Sequence, residues 1–239
     1  ATAIDPSARE VALLGPDGST ERIRYDALVL APGAYAVRPP IPGIDHPRVR
    51  TLRTVPDADT IRGWVTEGAA RAVVLGAGFI GREAAEALRH AGLDVSIVEA
   101  APHVLPVVDA EVAAYISEEL RAHGVAVHEG VAARAITDLD GHPVVELADG
   151  TSLPADLVIL SVGVRPRSEL AAAADLALTD QGAIIVDDEQ RTSDPHIWAV
   201  GDATASTHAV TGAVGPVALA TPANRGGREI GRASCRDSA

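Results

Sequence analysis

The sequence predicts a doubly wound α/β fold, in which strands and helices alternate around an apolar parallel sheet. From residue 71 onward, short apolar runs of the kind that form buried parallel strands alternate with segments of helical spacing. A glycine-rich turn at residues 76–81 (GAGFIG) joins the first such strand to the first such helix, which makes the predicted domain Rossmann-like. The predicted strands are Arg71–Leu75, 95–98, 125–128 and Leu157–Leu160, and the predicted helices are 80–90 and 110–123, the second with Asp109 as its N-cap.

The segments around this domain have a different pattern. Predicted strands at Glu10–Leu14 and 21–25 flank the turn sequence GPDG at 15–18, where proline fixes φ and glycine accepts a positive φ. A short apolar run at 27–31 predicts a buried strand, and three prolines within 39–43 predict a linker. Residues 131–147, interrupted by the dipeptide Asp140-Gly141, predict a small β-meander.

Composition narrows the classes of partner and site. The 239 residues carry 20 basic and 33 acidic side chains, a net charge of −13, which disfavours binding to nucleic acid. No apolar run has the length of a membrane helix, so we expect a soluble, cytoplasmic protein with no membrane partner. No histidine and cysteine cluster has metal-ligand spacing, so we expect no metal site.

Each of the three glycines in the turn meets one structural requirement of a dinucleotide site. Gly76 permits the tight turn after the strand, Gly78 lets the backbone approach a diphosphate, and Gly81 allows the helix to pack closely on the strand. The helix N-terminus supplies free N–H donors and a partial positive charge. The alternative is a glycine turn without a ligand.

Glu99 lies at the end of the second strand, where a carboxylate can accept hydrogen bonds from both hydroxyl groups of an adenosine ribose. The same charge repels a 2′-phosphate, and Ala100 and Ala101, which follow, offer no cation to hold one. We therefore predict that the site prefers NADH to NADPH.

With this motif in place, the chain resembles the FAD-dependent pyridine nucleotide–disulfide oxidoreductases, and most closely their coenzyme A-disulfide reductase and NADH oxidase branch. The resemblance departs from the family pattern at Arg82, where an apolar residue is usual. The matching segments are 31–33 (APG), 39–45 (PPIPGID), 76–81, 104–106 (VLP), 161–166 (SVGVRP), 192–202 (TSDPHIWAVGD) and 210–228.

The resemblance implies a nicotinamide domain at 49–166 inserted into an FAD-binding domain made of residues 1–48 and 167–228. It also implies that the glycine motif of the FAD domain and the redox cysteine lie upstream of this chain, and that a dimerisation domain follows it. We therefore expect a fragment of a homodimeric enzyme, with no catalytic residue of its own. Such a fragment would bind NADH weakly and retain little FAD.

The resemblance assigns further residues to the two cofactors. Around the nicotinamide nucleotide it implies Phe79 and Ile80 of the glycine loop, together with Glu83 and Gly163. For Glu83 the alternative is an ordinary exposed helical residue. At the flavin and the substrate side it implies Ala31, Gly33, Gly201, Asp202, Leu219 and Ala220, with Asn224 facing the substrate.

The function implied is passage of hydride from NADH to flavin, and onward to a disulfide-type acceptor such as coenzyme A disulfide or a persulfide. The alternatives are an NADH oxidase or peroxidase, with oxygen as the small-molecule acceptor, and a nicotinamide-binding redox sensor without turnover. An upstream cysteine facing the flavin would favour thiol chemistry, and its absence would favour electron transfer to a protein such as a ferredoxin.

The C-terminal tail has an unusual sequence. Residues 230–236 read IGRASCR and include Cys235, the single cysteine. One reading frame of a common sequencing adapter encodes the same seven residues, so we expect residues 229–239 to be non-native. The alternative is an ordinary flexible C-terminus.

Overall fold

A computed structural model describes residues 1–236, with side chains through residue 232. The chain forms two compact units, an inserted unit of residues 36–164 and a flanking unit made of residues 1–35 and the chain from 165 onward. The sequence had placed these boundaries at 48 and 166. The inserted unit begins earlier because Ile41, within the predicted linker, and Ile44, directly after it, pack against its core.

The flanking unit opens with a three-stranded antiparallel sheet made of β1 (Ala3–Asp5), β2 (Glu10–Leu14) and β3 (Thr20–Arg24). The predicted turn joins β2 to β3, and the Gly15 N–H closes it by donating to the Ser19 carbonyl at 2.7 Å. The prediction of these two strands is confirmed to within one residue. The next strands are β4 (Leu28–Leu30) and β5 (Ala34–Ala36).

The inserted unit is built on a five-stranded sheet in which every pairing is parallel. The side chains of its central strands alternate between two separate cores, one on each face of the sheet. This arrangement confirms the predicted Rossmann-like α/β fold with a parallel sheet, and the three described helices that pack on this sheet all cover one face. In spatial order the strands are β6 (Val49–Thr51), β13 (Leu157–Leu160), β7 (Arg71–Leu75), β8 (Asp94–Glu99) and β9 (Val125–Glu129).

One face of this sheet is covered by helices α1 (Val55–Thr66), α2 (Phe79–His90) and α3 (Ala110–Ala122). The last two were predicted, although Asp109 makes no side-chain hydrogen bond at its N-cap position. The first was not predicted. It begins at a reciprocal capping box, in which the Asp57 N–H donates to Thr54 Oγ1 and the Thr54 N–H donates to Asp57 Oδ2.

The other face is covered by the predicted meander, which forms an antiparallel sheet of β10 (Ala133–Leu139), β11 (His142–Leu147) and β12 (Ser152–Pro154). Val145 and Leu147 are fully buried there against the sheet core that includes Val73 and Leu75. The Ile136 N–H donates to the Pro42 carbonyl at 2.8 Å, which joins the meander to the proline-rich segment.

The second segment of the flanking unit returns the chain to strand β4. The parallel pairing of β16 with β4 places Leu30 opposite Ala199, above a core that includes Ile184 and Ile197. None of the helices within residues 1–236 is long and apolar enough to cross a membrane. The elements are β14 (Val164–Pro166), α4 (Glu169–Ala173), β15 (Ile184–Ile185), β16 (Ile197–Ala199), β17 (Thr204–Thr207), β18 (Val214–Pro216) and α5 (Ala220–Arg236).

The predicted non-native tail begins inside α5 and continues past the described residues. Helix α5 runs through Glu229 without interruption, and Arg232 lies 3.3 Å from the Glu229 carboxylate. The side chain of Cys235 and all of residues 237–239 lie outside the part of the chain that the structure describes. The origin of the tail stays a prediction.

Candidate dinucleotide site

The glycine loop leaves β7 at the carboxyl edge of the five-stranded sheet and is fixed by its surroundings at two of its three glycines. Gly76 has a φ of +97°, and a Cβ on it would lie 2.5 Å from the carbonyl oxygen of Ser161. A Cβ on Gly81 would collide with the Gly76 carbonyl and lie 2.5 Å from Ser161 Oγ. Both positions therefore require glycine for reasons internal to the protein.

Gly78 differs from the other two glycines. Its φ of −70° suits any residue, and a Cβ built on it would meet no protein atom within 4 Å. The fold therefore does not require glycine here, whereas close approach of a ligand to the backbone would. Gly78 is the N-cap of α2, so the N–H groups of Phe79 and Ile80 begin the helix without intrahelical partners.

Glu99 is the last residue of β8, beside this loop, and each of its carboxylate oxygens accepts a hydrogen bond from a backbone N–H group. Oε2 accepts from the Ala77 N–H at 2.7 Å, and Oε1 accepts from the Ala101 N–H at 2.8 Å. Each carboxylate oxygen has a second lone pair, so the half-buried side chain can still accept hydroxyl donors. The sequence predicted where Glu99 lies, but not its bond to the glycine loop.

A second connection reaches the same loop residue from the chain that follows β8. The Leu105 N–H donates to the Ala77 carbonyl at 2.9 Å, so both backbone groups of the fully buried Ala77 are held. Leu105 has a φ of +50°, which is uncommon for a branched side chain. The family-like VLP segment thus has a structural role that sequence reasoning did not identify.

Glu129, at the end of β9, is a further residue that the sequence analysis missed. Its Oε1 accepts from the Ser117 hydroxyl at 2.6 Å and from the Val104 N–H at 3.0 Å, and Arg121 lies 2.8 Å from Oε2. Burial raises the pKa of the Glu129 carboxyl, but these hydrogen bonds outweigh burial and leave the pKa below its ordinary value.

The available sequence signal for this cluster was a pair of acids at the ends of adjacent strands, since Glu99 pairs with Glu129 across β8 and β9. The fold also brings a cation, Arg121, to the neighbouring strand end. Arg121 was not predicted because it lies far along the chain from Glu99, and only the residues directly after Glu99 can be assigned to its strand end from sequence. Arg121 is engaged with Glu129 rather than free to hold a phosphate.

The predicted nicotinamide-side residues lie at the same edge of the sheet. Ser161, which follows β13, donates from Oγ to the carbonyls of Leu75 and Gly76, and Gly163 comes two residues later at an exposed position. Glu83 is exposed on α2 and lies 3.8 Å from Arg82, which also lies 3.6 Å from Glu86. Residue Arg82 thus places a positive charge beside Glu83.

The predicted flavin-side residues lie in the flanking unit, where β4 and β16 end side by side. The Val200 N–H donates to the Leu30 carbonyl at 2.9 Å, which brings Ala31 next to Gly201. A Cβ on Gly201 would lie 4.0 Å from Ala223 of α5. The remaining predicted residues are Gly33 after β4, Asp202 after Gly201, the exposed Leu219 before α5, and Ala220 and Asn224 on its first two turns.

Comparison with known proteins decides the family. The model of the family described as pyridine nucleotide-disulphide oxidoreductase matches residues 1–226. The chain belongs to this family. That result confirms the resemblance predicted from residues 31–33, 76–81 and 192–202.

Three members of the pyridine nucleotide-disulphide oxidoreductase family illustrate the similarity. An NADH oxidase of Methanocaldococcus jannaschii is 35% identical over 233 residues, which are 96% of this chain and 51% of that protein. The structure of an NAD-dependent persulfide reductase from A. fulgidus is 40% identical with a TM-score of 0.93, over 97% of this chain and 43% of that one. The reduced Bacillus anthracis CoADR-RHD is 38% identical with a TM-score of 0.92, over 97% and 42%.

The chain spans between about a fifth and a half of the length of the curated relatives listed first, from 22% to 51%. Within residues 1–236, no group of three or more histidine, cysteine, aspartate or glutamate side chains is arranged to hold a metal ion. The candidate site consists of backbone N–H groups at the start of α2 and the carboxylate of Glu99, both at the carboxyl edge of the sheet. The family description names pyridine nucleotides.

Proposed function

We propose that the inserted unit binds NADH, with the diphosphate at the glycine loop and the adenosine ribose at Glu99. The observation that carries this proposal is the contrast among the three glycines. Gly76 and Gly81 are required by protein contacts, whereas Gly78 faces open space at the start of a helix. An anion fits there because the first-turn N–H groups and the helix dipole both favour negative charge.

The charge at the ribose end supports a preference for NADH over NADPH. Glu99 is held in place by two backbone N–H groups, so it cannot readily turn away from a 2′-phosphate. Arg121, which α3 brings to the adjacent strand end, is paired with Glu129 at 2.8 Å. A 2′-phosphate would therefore meet an uncompensated negative charge.

In the flanking unit, we propose that Ala31, Gly33, Gly201 and Asp202 contribute to an FAD site. These residues follow strands β4 and β16, which end together as the strand ends of nucleotide-binding α/β sheets do. Leu219 and Ala220 would lie toward the flavin ring, and Asn224 toward the substrate. The assignments rest on the family resemblance and on the position of Gly201, where an added Cβ would lie 4.0 Å from Ala223 of α5.

The activity proposed for the whole protein is an FAD-dependent oxidoreductase that uses NADH and a disulfide-type acceptor, either coenzyme A disulfide or a persulfide. Bound NADH and FAD would supply hydride transfer from the nicotinamide C4 to the flavin N5. The residues of this chain bind and orient the nucleotide: Glu99 fixes the ribose, and the α2 N-terminus fixes the diphosphate. The similarity to a persulfide reductase and to CoADR-RHD supports this class of acceptor.

The second candidate activity is that of an NADH oxidase or peroxidase, and the similarity to the NADH oxidase of M. jannaschii favours it. The gene sequence upstream of residue 1 would test for thiol chemistry against electron transfer to a protein such as a ferredoxin. A cysteine in the flavin-facing loop would favour thiol chemistry.

The test of the nucleotide proposal is a paired titration of the chain with NADH and NADPH, following the enhancement of nicotinamide fluorescence. We expect NADH to bind at least about tenfold more tightly, a difference of about 1.4 kcal/mol in binding free energy. Equal or tighter binding of NADPH would contradict the role of Glu99. Binding of neither nucleotide would favour the alternative interpretation, a glycine turn without a ligand.

A further inference from the structure

The position of the glycine loop depends on the chain that follows β8. Ala77, the residue between the first two glycines, is 0% exposed, and its carbonyl accepts the Leu105 N–H at 2.9 Å. The Gly76 N–H is held by the Val98 carbonyl at 2.8 Å, so the start of the loop is anchored to β8 as well. Any displacement of Leu105 would release one of the two backbone groups that fix Ala77.

Leu105 is itself held in a conformation that needs support. A φ of +50° is uncommon for a leucine, because its Cβ crowds the following carbonyl. Its neighbour Val104 is fully buried and gives its N–H to Glu129 Oε1 at 3.0 Å. The backbone on either side of this bend is therefore tied to the glycine loop at Leu105 and to β9 at Val104.

Glu129 is held in turn by α3. Ser117, a buried polar residue only 3% exposed, donates its hydroxyl to the same oxygen at 2.6 Å. Arg121 is one helical turn further along α3 and reaches the other oxygen at 2.8 Å. Two side chains of one helix face thus orient a carboxylate that is itself only 19% exposed.

We propose that Glu129 is a positioning residue for the dinucleotide: through Val104 and Leu105 it holds the glycine loop in the shape that the diphosphate requires. This inference rests on the proposed function, since it deepens the account of the same site. Glu129 does not need to touch the nucleotide. Its contribution is to keep the Ala77 carbonyl, and with it the loop leading to Gly78, in a fixed position.

A purely structural role for Glu129 would give a different pattern, and the sheet contains a matched comparison. Asp156, at the amino edge of the same sheet, is a carboxylate held by the N–H groups of Ala70 and Arg71 and by the Arg71 guanidinium. Removing either carboxylate deprives its hydrogen-bond donors of their acceptor and should lower stability. Only the loss of Glu129 should also alter the glycine loop.

The experiment compares the native chain with Glu129→Ala, Glu129→Gln, Ser117→Ala and the control Asp156→Asn. Three quantities are measured: the melting temperature, the dissociation constants for NADH and ADP, and the hydrogen-exchange rate of the Leu105 amide without ligand. Ser117→Ala is included because it removes one donor and leaves the carboxylate, so it keeps the test available where Glu129→Ala folds poorly.

We expect Glu129→Ala to raise the dissociation constants for NADH and ADP by a similar factor of about tenfold or more, because both ligands place a diphosphate on the loop. Leu105 exchange should accelerate by a comparable factor. Glu129→Gln keeps an acceptor for Val104 and should restore most of the affinity, with Ser117→Ala between the two. Asp156→Asn should lower the melting temperature without changing either dissociation constant.

Two contrary results are distinguishable. Unchanged affinity and unchanged Leu105 exchange in Glu129→Ala, while the native chain binds NADH and ADP, would overturn the positioning role and leave the proposed function standing. Failure of the native chain to bind either ligand would contradict the proposed function, and the positioning role with it. Equal loss of affinity in Asp156→Asn would also overturn the inference, because it would show a general effect of stability.

Discussion

The carboxylate of Glu99 accepts a hydrogen bond of 2.7 Å from the N–H of Ala77, which joins the end of one strand to the glycine loop that follows its neighbour. One acid therefore has two tasks in this account. It orders the loop from within the protein, and we propose that its remaining lone pairs accept the hydroxyl groups of the nucleotide ribose. The consequences can be separated by substitution.

Replacing Glu99 should change both the affinity for nucleotides and the choice between them. Charge-assisted hydrogen bonds contribute about 1.5–3 kcal/mol each, so Glu99→Ala should lower the affinity for NADH by about tenfold or more. The affinity for NADPH should fall less, because the repulsion of its 2′-phosphate disappears. The preference for NADH over NADPH should therefore decrease. Titrations of both nucleotides test this, with the exposed helical Glu118→Gln as the charge-matched control. An unchanged ratio would contradict the assignment.

The three glycines predict two opposite mutant phenotypes. Gly81→Ala places a methyl group on the Gly76 carbonyl and should cost about 1–3 kcal/mol of folding free energy. Gly78→Ala meets no protein atom, so its folding free energy should stay within about 0.5 kcal/mol of the native value. Its affinity for NADH should fall, because the methyl group occupies the approach of the ligand. Denaturant titration and nucleotide binding, measured on both variants, separate these effects.

Asp156 should make stability depend on pH in the acid range. The side-chain hydrogen bond from Arg71, opposed by burial and assisted by the N–H groups of Ala70 and Arg71, lowers the pKa of Asp156 from 3.8 to about 2. Because the folded-state pKa is depressed, the stabilisation is present above about pH 4 and is lost as the pH falls through about 2.

Asp156→Asn should therefore lower the free energy of unfolding by about 2 kcal/mol at pH 7, with a difference that narrows toward pH 2. Urea titrations at several pH values measure this. Asp94→Asn is the control, because Asp94 lies at the same edge of the sheet with its side chain 88% exposed. A gap that stays constant between pH 7 and pH 2 would contradict the assigned pKa.

The capping box of α1 gives a prediction about stability alone. Thr54→Ala removes the acceptor for the Asp57 N–H and should cost about 1 kcal/mol of folding free energy. Thr66→Ala, at the exposed C-terminal end of the same helix, should cost less than about 0.5 kcal/mol. Nucleotide affinity should be the same in both. Equal stabilities for the two variants would show that the capping box contributes nothing.

Continuous apolar runs allowed most of the inserted unit to be predicted from sequence. Strand β7, for example, reads RAVVL, and four of its five residues are buried. Helix α1 was not predicted because its apolar residues are few: Ile61, Trp64 and Val65 have helical spacing, but only Ile61 is buried. Its Thr54 and Asp57 carry the recognisable capping signal, which a reading based on apolar periodicity does not use.

The candidate site was predictable in its parts and not in its connections. Local spacing identified the glycine loop and the acid at 99, because each has a sequence signature of its own. The bonds from Leu105 to Ala77 and from Ser117 to Glu129 join segments far apart along the chain. Such contacts follow from tertiary packing, and no local pattern encodes them.

The central claim is that the glycine loop receives the nucleotide diphosphate, and amide chemical shifts of the ¹⁵N-labelled chain during NADH titration test it most directly. We predict the largest shifts at the N–H groups of Gly78, Phe79 and Ile80, with smaller shifts at the amide of Gly182 in the flanking unit, which donates to the Thr179 carbonyl. Binding of NADH that leaves the three loop amides unmoved at saturation would contradict the account.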